Sequence, residues 1–180
     1  MSQPQCVTLS DGTREWRVNG KLHREDGPAV VRKDGFQQWF RDGLLHREDG
    51  AAVVALDAGR LWYLHGKLHR DGGPAMILVN GTQQWFRNGL RHRDDGPAIV
   101  WPDGGQEWHR DGKFHREDAP AVIMINKAQI RYHNGQLWYH NGQLHRVGGP
   151  AIVRADGSEE YWEHGRRIIK NDHAGPSARR

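Results

Sequence analysis

Residues 85–98 read WFRNGLRHRDDGPA, and this stretch recurs with small changes along almost the whole chain. Residues 62–75 read WYLHGKLHRDGGPA, and residues 108–121 read WHRDGKFHREDAPA. Successive copies in this part of the chain begin 23 residues apart. A fixed period of this length is typical of repeat proteins, in which each repeat contacts only its neighbours. The fold is therefore predicted from the repeat first and from single residues second.

Six copies follow the pattern W-x3-G-x2-H-R-x-D-G-P-A, with a few substitutions. The sixth copy begins 30 residues after the fifth rather than 23, because the segment YHNGQL at 132–137 is repeated at 139–144. We interpret this as a seven-residue insertion near 132–138. A seventh, degenerate copy follows, in which Tyr161 takes the tryptophan position and Gly165 the glycine position. Such a copy is expected at the end of an array, where it acts as a cap.

Two turn signals in each repeat predict short antiparallel strands. Asn19-Gly20 is an example of the first and Asp34-Gly35 of the second, and both suit a type I′ turn, whose central residues have positive φ. Each repeat is thus predicted to form one β-hairpin. We predict an all-β fold, an elongated tandem β-hairpin array that builds a single twisted antiparallel meander similar to a solenoid. The array is predicted at 11–172, with an N-terminal arm at 1–10 and a flexible tail at 173–180.

Stacking of the repeats must supply the core, because a lone hairpin is marginal in water. Residues 23 apart occupy equivalent places in neighbouring repeats, so the tryptophans should form a ladder along one face. Aliphatic pairs such as Val30-Val31 and Ile99-Val100 predict a second apolar stripe. The six tryptophans that we assign to the structural ladder are Trp16, Trp39, Trp62, Trp85, Trp108 and Trp138.

Composition and charge limit the classes of partner and compartment. The chain has 26 basic and 22 acidic residues and a net charge of +4, which permits nucleic acid as a partner without demanding it. Cys6 is the one cysteine of the sequence, so a disulfide framework is impossible and a reducing, cytoplasmic location is expected. No apolar run approaches the roughly 18 residues that a membrane-spanning helix needs.

The sequence resembles the MORN repeat family. The resemblance rests on the 23-residue period, on an aromatic followed by Asn-Gly and a histidine, and on a closing Asp-Gly, and it covers roughly residues 11–172. In the copy YLHGKLH, Tyr63 stands where MORN repeats carry their aromatic. MORN repeats usually place glycine directly after the histidine, whereas here an arginine follows, then an acidic residue, Gly, Pro and Ala. The resemblance implies an elongated antiparallel sheet and a scaffold or adaptor role, in some members at lipid or membrane surfaces.

The six His-Arg pairs resemble a site, but their repetition argues for a framework role. Equivalent residues of successive hairpins lie about 10 Å apart, whereas the ligands of one zinc ion lie about 2 Å from it. Arg24 and Asp26 share one face of an extended chain, so local ion pairs explain the acids that follow each pair. No catalytic motif is present. We therefore expect no enzyme, no cofactor and no metal site.

Departures from the repeat are the best candidates for partner binding, because the framework does not require them. The segment 119–155 contains no Asp or Glu, and it holds the insertion. Trp101 stands outside the tryptophan register, either as an exposed binding anchor or packed under a neighbouring loop. The candidate partner-binding residues are Lys127, Arg131, His133, Trp101, His140 and Arg146.

These observations favour a non-enzymatic binding or scaffold module that recognises a protein partner. An inhibitor of the kind that phages or viruses encode is one example of this class. The alternative is binding of nucleic acid or anionic lipid through the acid-free basic segment 119–155. Self-association is left open by the sequence, although the sheet edges at both ends of an array permit it.

The repeat period makes a prediction about the protein in solution. Far-UV circular dichroism should show a β spectrum with almost no helical signal. Small-angle scattering should give a radius of gyration well above the roughly 16 Å of a compact globule of the same length. A substantial helical signal, or a radius near that compact value, would contradict the predicted array.

Overall fold

Short strands make up the structure, which is a computed structural model that describes residues 3–125 and 135–169. No helix occurs in these two ranges. The 26 strands, in chain order, are β1 (Gln5–Thr8), β2 (Arg14–Val18), β3 (Lys21–Leu22), β4 (Val30–Val31), β5 (Gln37–Gln38), β6 (Phe40–Arg41), β7 (Leu44–Leu45), β8 (Val53–Ala55), β9 (Gly59–Leu61), β10 (Tyr63–Leu64), β11 (Lys67–Leu68), β12 (Met76–Ile77), β13 (Gln83–Gln84), β14 (Phe86–Arg87), β15 (Leu90–Arg91), β16 (Ile99–Val100), β17 (Gln106–Glu107), β18 (His109–Arg110), β19 (Lys113–Phe114), β20 (Val122–Met124), β21 (Gly135–Leu137), β22 (Tyr139–His140), β23 (Gln143–Leu144), β24 (Ile152–Arg154), β25 (Glu159–Glu163) and β26 (Arg166–Ile168).

Sixteen strands form one antiparallel sheet, which we call the long sheet. Its order is β1-β2-β4-β5-β8-β9-β12-β13-β16-β17-β20-β21-β24-β25-β26, and β3 pairs with β2 beside this path. Five further two-stranded ladders, β6–β7, β10–β11, β14–β15, β18–β19 and β22–β23, are the tip hairpins. The long sheet is a meander that does not close into a barrel, so the predicted all-β hairpin array is confirmed.

Two details differ from the sequence prediction. A complete repeat supplies two strands to the long sheet and a separate tip hairpin, rather than one hairpin in all. The N-terminal segment, predicted as an arm outside the array, supplies strand β1, in which Cys6 pairs with Trp16. The predicted tail and residues 132–134 of the predicted insertion lie outside the described residues.

Five of the six ladder tryptophans mark the bend between the long sheet and a tip hairpin, whereas Trp16 lies within β2. Trp85 lies between β13 and β14; its N–H donates to the carbonyl of Ala98 (2.8 Å), and its own carbonyl accepts from His92 N–H (3.1 Å). The first bond ties the chain to the long sheet, and the second closes the tip hairpin. The same two bonds recur at Trp16, Trp39, Trp62, Trp108 and Trp138.

Small residues, not tryptophans, occupy the most buried positions. All six ladder tryptophans are half-buried, whereas the alanines that close the repeated stretch are each 0% exposed. Because these positions are completely buried, a larger side chain would have to displace its neighbours. These alanines are Ala29, Ala52, Ala75, Ala98, Ala121 and Ala151.

The two turns of a repeat have different chemistry. At the hairpin tip Asn19 and Gly20 both have positive φ, 49° and 76°, as a type I′ turn requires. In the turn of the long sheet only Gly35 has positive φ (86°), so the type I′ prediction is wrong there. The carboxylate Oδ1 of Asp34 accepts a hydrogen bond from Phe36 N–H (3.0 Å) instead.

The aliphatic pairs lie on opposite faces of the long sheet. Val30 is buried beneath the tip hairpins, while Val31 is half-buried on the other face, which we call the outer face. The predicted second stripe is therefore two stripes. The outer-face members are Val31, Val54, Ile77, Val100, Ile123 and Val153.

Burial of the alanine column predicts a strong effect of a larger side chain. Ala75→Leu should destabilise the protein by about 1–3 kcal/mol or more, because it forces two closely packed backbone segments apart. Ala58→Leu, at an exposed turn position, is the matched control and should stay within about 0.5 kcal/mol of wild type. Denaturant unfolding of both variants measures the difference, and equal midpoints would contradict this account of the core.

Candidate functional site

The repeated histidines join neighbouring repeats. The Nδ1 atom of His69 accepts a hydrogen bond from the backbone N–H of Asn88 (3.1 Å), at the tip of the next hairpin. This contact supports the framework role predicted from their repetition. Its equivalents join His23 to Asp42 (3.1 Å), His46 to His65 (3.2 Å), His92 to Asp111 (3.1 Å), His115 to Asn141 (3.4 Å) and His145 to His164 (3.2 Å).

The other ring nitrogen faces the acid two residues further on. The Nε2 atom of His92 lies 3.0 Å from Asp94, and that of His46 lies 3.2 Å from Glu48. At His46 the Nδ1 atom accepts from His65 N–H (3.2 Å), so Nε2 is the nitrogen that donates to Glu48. In the sixth repeat Val147 stands in place of this acid.

The repeated arginines stack on the tryptophans. The guanidinium carbon of Arg93 lies 4.1 Å from the centre of the Trp85 ring, within the range of a cation–π contact. Its Nε donates to Asp95 (2.9 Å) and its Nη1 to the carbonyl of Pro97 (3.3 Å). The same stack recurs, at 3.8–4.2 Å, for Arg24 on Trp16, Arg47 on Trp39, Arg70 on Trp62, Arg116 on Trp108 and Arg146 on Trp138.

In five of the six repeats a glycine lies beside this stack, and in the fifth Ala119 takes its place. A Cβ atom at Gly50 would lie 2.8 Å from the guanidinium carbon of Arg47, closer than such atoms approach in proteins. The guanidinium is therefore held between an indole ring and a glycine. This one arrangement explains the Trp, Arg, Asp and Gly of the repeat pattern without any ligand.

Three of the six candidate partner-binding residues, Trp101, His140 and Arg146, lie in the described part of the chain. Arg146 stacks on Trp138 and donates to the carbonyl of Pro150 (3.1 Å), so it belongs to the framework and is not a free contact residue. His140 is exposed, and its ring lies 4.9 Å from that of His115, measured between centroids. Lys127, Arg131 and His133 lie outside the described residues.

A pairing within repeats was not anticipated from the sequence. Where an acid occupies the buried face of a sheet strand, a donor stands two residues later: Glu15 binds Arg17 (2.8 Å), and Glu107 binds His109 (2.8 Å). Where glutamine stands instead, as at Gln38, the later residue is Phe40. The sequence contains this signal, because the residue two positions later is a donor in the repeats where the first position is an acid.

An exposed apolar row runs along the turn edge of the long sheet. Leu56 is 79% exposed, Val79 62% and Ile125 44%, and Pro102 is also exposed. These residues occupy one repeat position at steps of 23, so neighbours lie about 10 Å apart. We call this row the ridge. The sequence reasoning missed it because its four residue types differ while their position is constant.

Trp101 is half-buried and lines a cleft of about 550 Å³. Its ring covers Gly105, where a Cβ atom would lie 2.9 Å from the Trp101 Cε3 atom. Trp101 is therefore neither fully exposed nor packed away. The other residues that line the cleft are Asp103, Gly105, Glu107, Phe114, Val122, Met124, Ile125, Leu137 and Tyr139.

No group of three or more His, Cys, Asp or Glu side chains that could hold a metal ion occurs in 3–125 or 135–169. These ranges also contain no helix long and apolar enough to cross a membrane. Cys6 is exposed on strand β1.

A comparison with models of known protein families finds no match for this chain, and a comparison with curated proteins finds none either. The resemblance to MORN repeats therefore rests on the period and residue pattern alone.

The histidine contacts predict a pH effect at His115. Burial, then the charges of Arg110 and His140, lower the pKa of this imidazole below its ordinary value of 6.5. As the pH falls, the unfolded chain therefore binds the proton before the folded chain does. This contribution to stability is complete above the ordinary pKa and is lost as the pH falls from there to the lowered folded pKa.

In His115→Asn the amide oxygen can still accept from Asn141 N–H, but nothing titrates at this position. We expect a loss of about 1 kcal/mol near pH 7.5 and a smaller further loss down to about pH 5.5 than in wild type. Denaturant unfolding at both pH values tests this. If the free energy of unfolding of the variant depends on pH as strongly as that of wild type, His115 is not the source of this pH dependence.

Proposed function

We propose that this chain is a non-enzymatic binding or scaffold module, a variant MORN-like array that recognises a protein partner through the ridge. The observation that carries the proposal is the exposure of Leu56, Val79 and Ile125 at one position of consecutive turns, with exposed Pro102 between them. A contiguous exposed apolar row is typical of an interaction surface. Inhibition by covering a partner's surface, in the cytoplasm, fits such a module.

The shape of the ridge favours a protein over a small ligand. Contacts about 10 Å apart over four repeats match an extended surface or strand of a partner. Half-buried aliphatic residues of the outer face, such as Ile77 and Val100, lie next to the ridge in the chain and broaden it. Lys33 at one end and Ala155 at the other occupy the same repeat position and limit its length.

The framework contacts explain why the ridge can be specific. The repeated His, Arg, Asp and Gly side chains hold the repeats together, so they are not free to distinguish partners. The ridge position varies from repeat to repeat without loss of those contacts. Partner choice is therefore assigned to variable positions on a constant scaffold.

Binding of nucleic acid or anionic lipid is the alternative. It depends on the basic groups of the acid-free segment, of which Arg146 is stacked on Trp138 and Arg154 pairs with Glu160. Both contacts reduce the support that the described cations give to this alternative. It remains a measurable outcome of the following experiment.

The ridge is tested by Leu56→Ser, Val79→Ser and Ile125→Ser combined. The matched control is Leu44→Ser with Leu90→Ser, which removes two side chains that are each 50% exposed on tip hairpins. All forms should unfold close to wild type, because exposed substitutions commonly change stability by about 0.5 kcal/mol or less. In parallel affinity capture from the source cells, the ridge variant should lose a protein that both wild type and control retain, with binding at least about tenfold weaker.

Two outcomes would contradict the proposal. Equal capture by all three forms would show that the ridge is not the binding surface. Capture of nucleic acid or lipid vesicles would favour the alternative if their affinity falls steeply as the salt concentration is raised. Binding to phosphates has this salt dependence, because the protein displaces counterions from them.

A further inference from the structure

We propose that the cleft beside Trp101 binds an aliphatic-stemmed cation, the side chain of a lysine or arginine. The idea that a partner protein supplies this cation rests on the proposed function. The binding of the cation itself does not. The cleft lies beside the ridge and shares Ile125 with it.

Aromatic rings form much of the cleft. Trp101 and Met124 contribute from the turn edge of the long sheet, and Phe114 and Tyr139 contribute from two successive tip hairpins. The Phe114 and Tyr139 rings lie 4.9 Å apart, measured between centroids. Ring faces attract cations through their quadrupole, and an apolar wall suits the methylene stem of a long basic side chain.

The charges that line the cleft are negative. Asp103 and Glu107 contribute carboxylates, and no lysine or arginine is among the described residues that line it. Glu107 lies with one carboxylate oxygen 2.8 Å from the Nε2 atom of His109. Burial and, second, the charge of Glu107 raise the pKa of the Tyr139 phenol, which places that charge close to the aromatic wall.

Trp101 lacks the cation that the ladder tryptophans have. Each ladder ring is covered by an arginine of its own repeat, but no described arginine or lysine lies over Trp101. In the first repeat the same position is Arg32, which lies 5.2 Å from the centre of the Phe36 ring. The counterpart of Phe36 beside Trp101 is Gly105, so this repeat presents an aromatic ring with no cationic partner.

The chain itself shows which ligand such a surface selects. Arg24 lies 4.2 Å from the centre of the Trp16 ring and 2.8 Å from the Asp26 carboxylate, so indole and carboxylate together hold a guanidinium. The cleft offers an indole and two carboxylates without the guanidinium. A basic side chain from another molecule completes the same combination.

The test uses small cations and a neutral molecule of the same shape. The intact protein is titrated with n-butylguanidinium, n-butylammonium and n-butylurea, and the indole N–H signal of Trp101 is followed by NMR, assigned from its loss in Trp101→Leu. At least one cation should shift this signal saturably, and n-butylurea should bind at least about tenfold more weakly. Equal binding of the urea, or no saturable binding of either cation, would overturn the proposal.

A charge variant with a matched control locates the effect. Asp103→Asn removes a charge but keeps an oxygen for the Gly105 N–H, just as Asn80 serves Thr82 N–H (2.9 Å) in the third repeat. It should weaken cation binding about threefold to tenfold and leave the weak binding of n-butylurea unchanged. Asp34→Asn makes the same change in the distant first repeat and should have no effect.

If Asp103→Asn and Asp34→Asn bind the cations equally well, the carboxylate has no part in recognition and the proposal fails. These titrations contain no partner protein, so their outcome does not depend on the ridge experiment. A failed ridge experiment with a positive titration would leave a cation site on a module of different function.

Discussion

A guanidinium stacked on an indole ring organises each complete repeat, with a glycine on its other side in every repeat but the fifth, where Ala119 stands. In the fourth repeat, Arg93 contacts the Trp85 ring at the start of the repeated stretch. It also donates to Asp95 at the bend and to the carbonyl of Pro97 just after it. A partly desolvated stack of this kind contributes about 1–2 kcal/mol. Its larger effect is geometric, because it fixes the bend that brings the tryptophan N–H to the alanine carbonyl. The long sheet and the tip hairpins both begin at that junction.

Neighbouring repeats are held together mainly by backbone and imidazole hydrogen bonds. Between the third and fourth repeats, Gly89 N–H donates to the carbonyl of Leu68 (2.8 Å), and Asn88 N–H donates to the His69 ring (3.1 Å). Buried aliphatic side chains add a narrow core on one face of the sheet. This division of roles explains how a chain that is 36% hydrophobic builds an extended sheet with no large side chain fully buried among the described residues. Apolar residues that the core does not need remain available at the surface.

Periodic features of the structure were predictable from the sequence, and features that depend on a single side chain were not. The period gave the antiparallel array, and Asn19-Gly20 gave the turn type at the hairpin tip. Asp34-Gly35 has the same chemistry but a different turn, because the bond from Phe36 N–H to the Asp34 carboxylate stabilises another geometry. Arg146 resembled a free cation because its neighbouring acids are missing, yet its ring contact with Trp138 needs no acid.

Hydrogen bonds between repeats have an evolutionary consequence. The bond from Asn88 N–H to His69 spans 19 residues of sequence, whereas its equivalent from Asn141 N–H to His115 spans 26. The seven added residues therefore lengthen the chain inside one repeat without breaking the histidine hydrogen bond to the next repeat. A gene for such a protein tolerates internal duplication, whether of one codon group within a repeat or of a whole unit of 23 codons. Recombination between copies would then vary the number of repeats, and with it the length of the long sheet, while each junction stays intact.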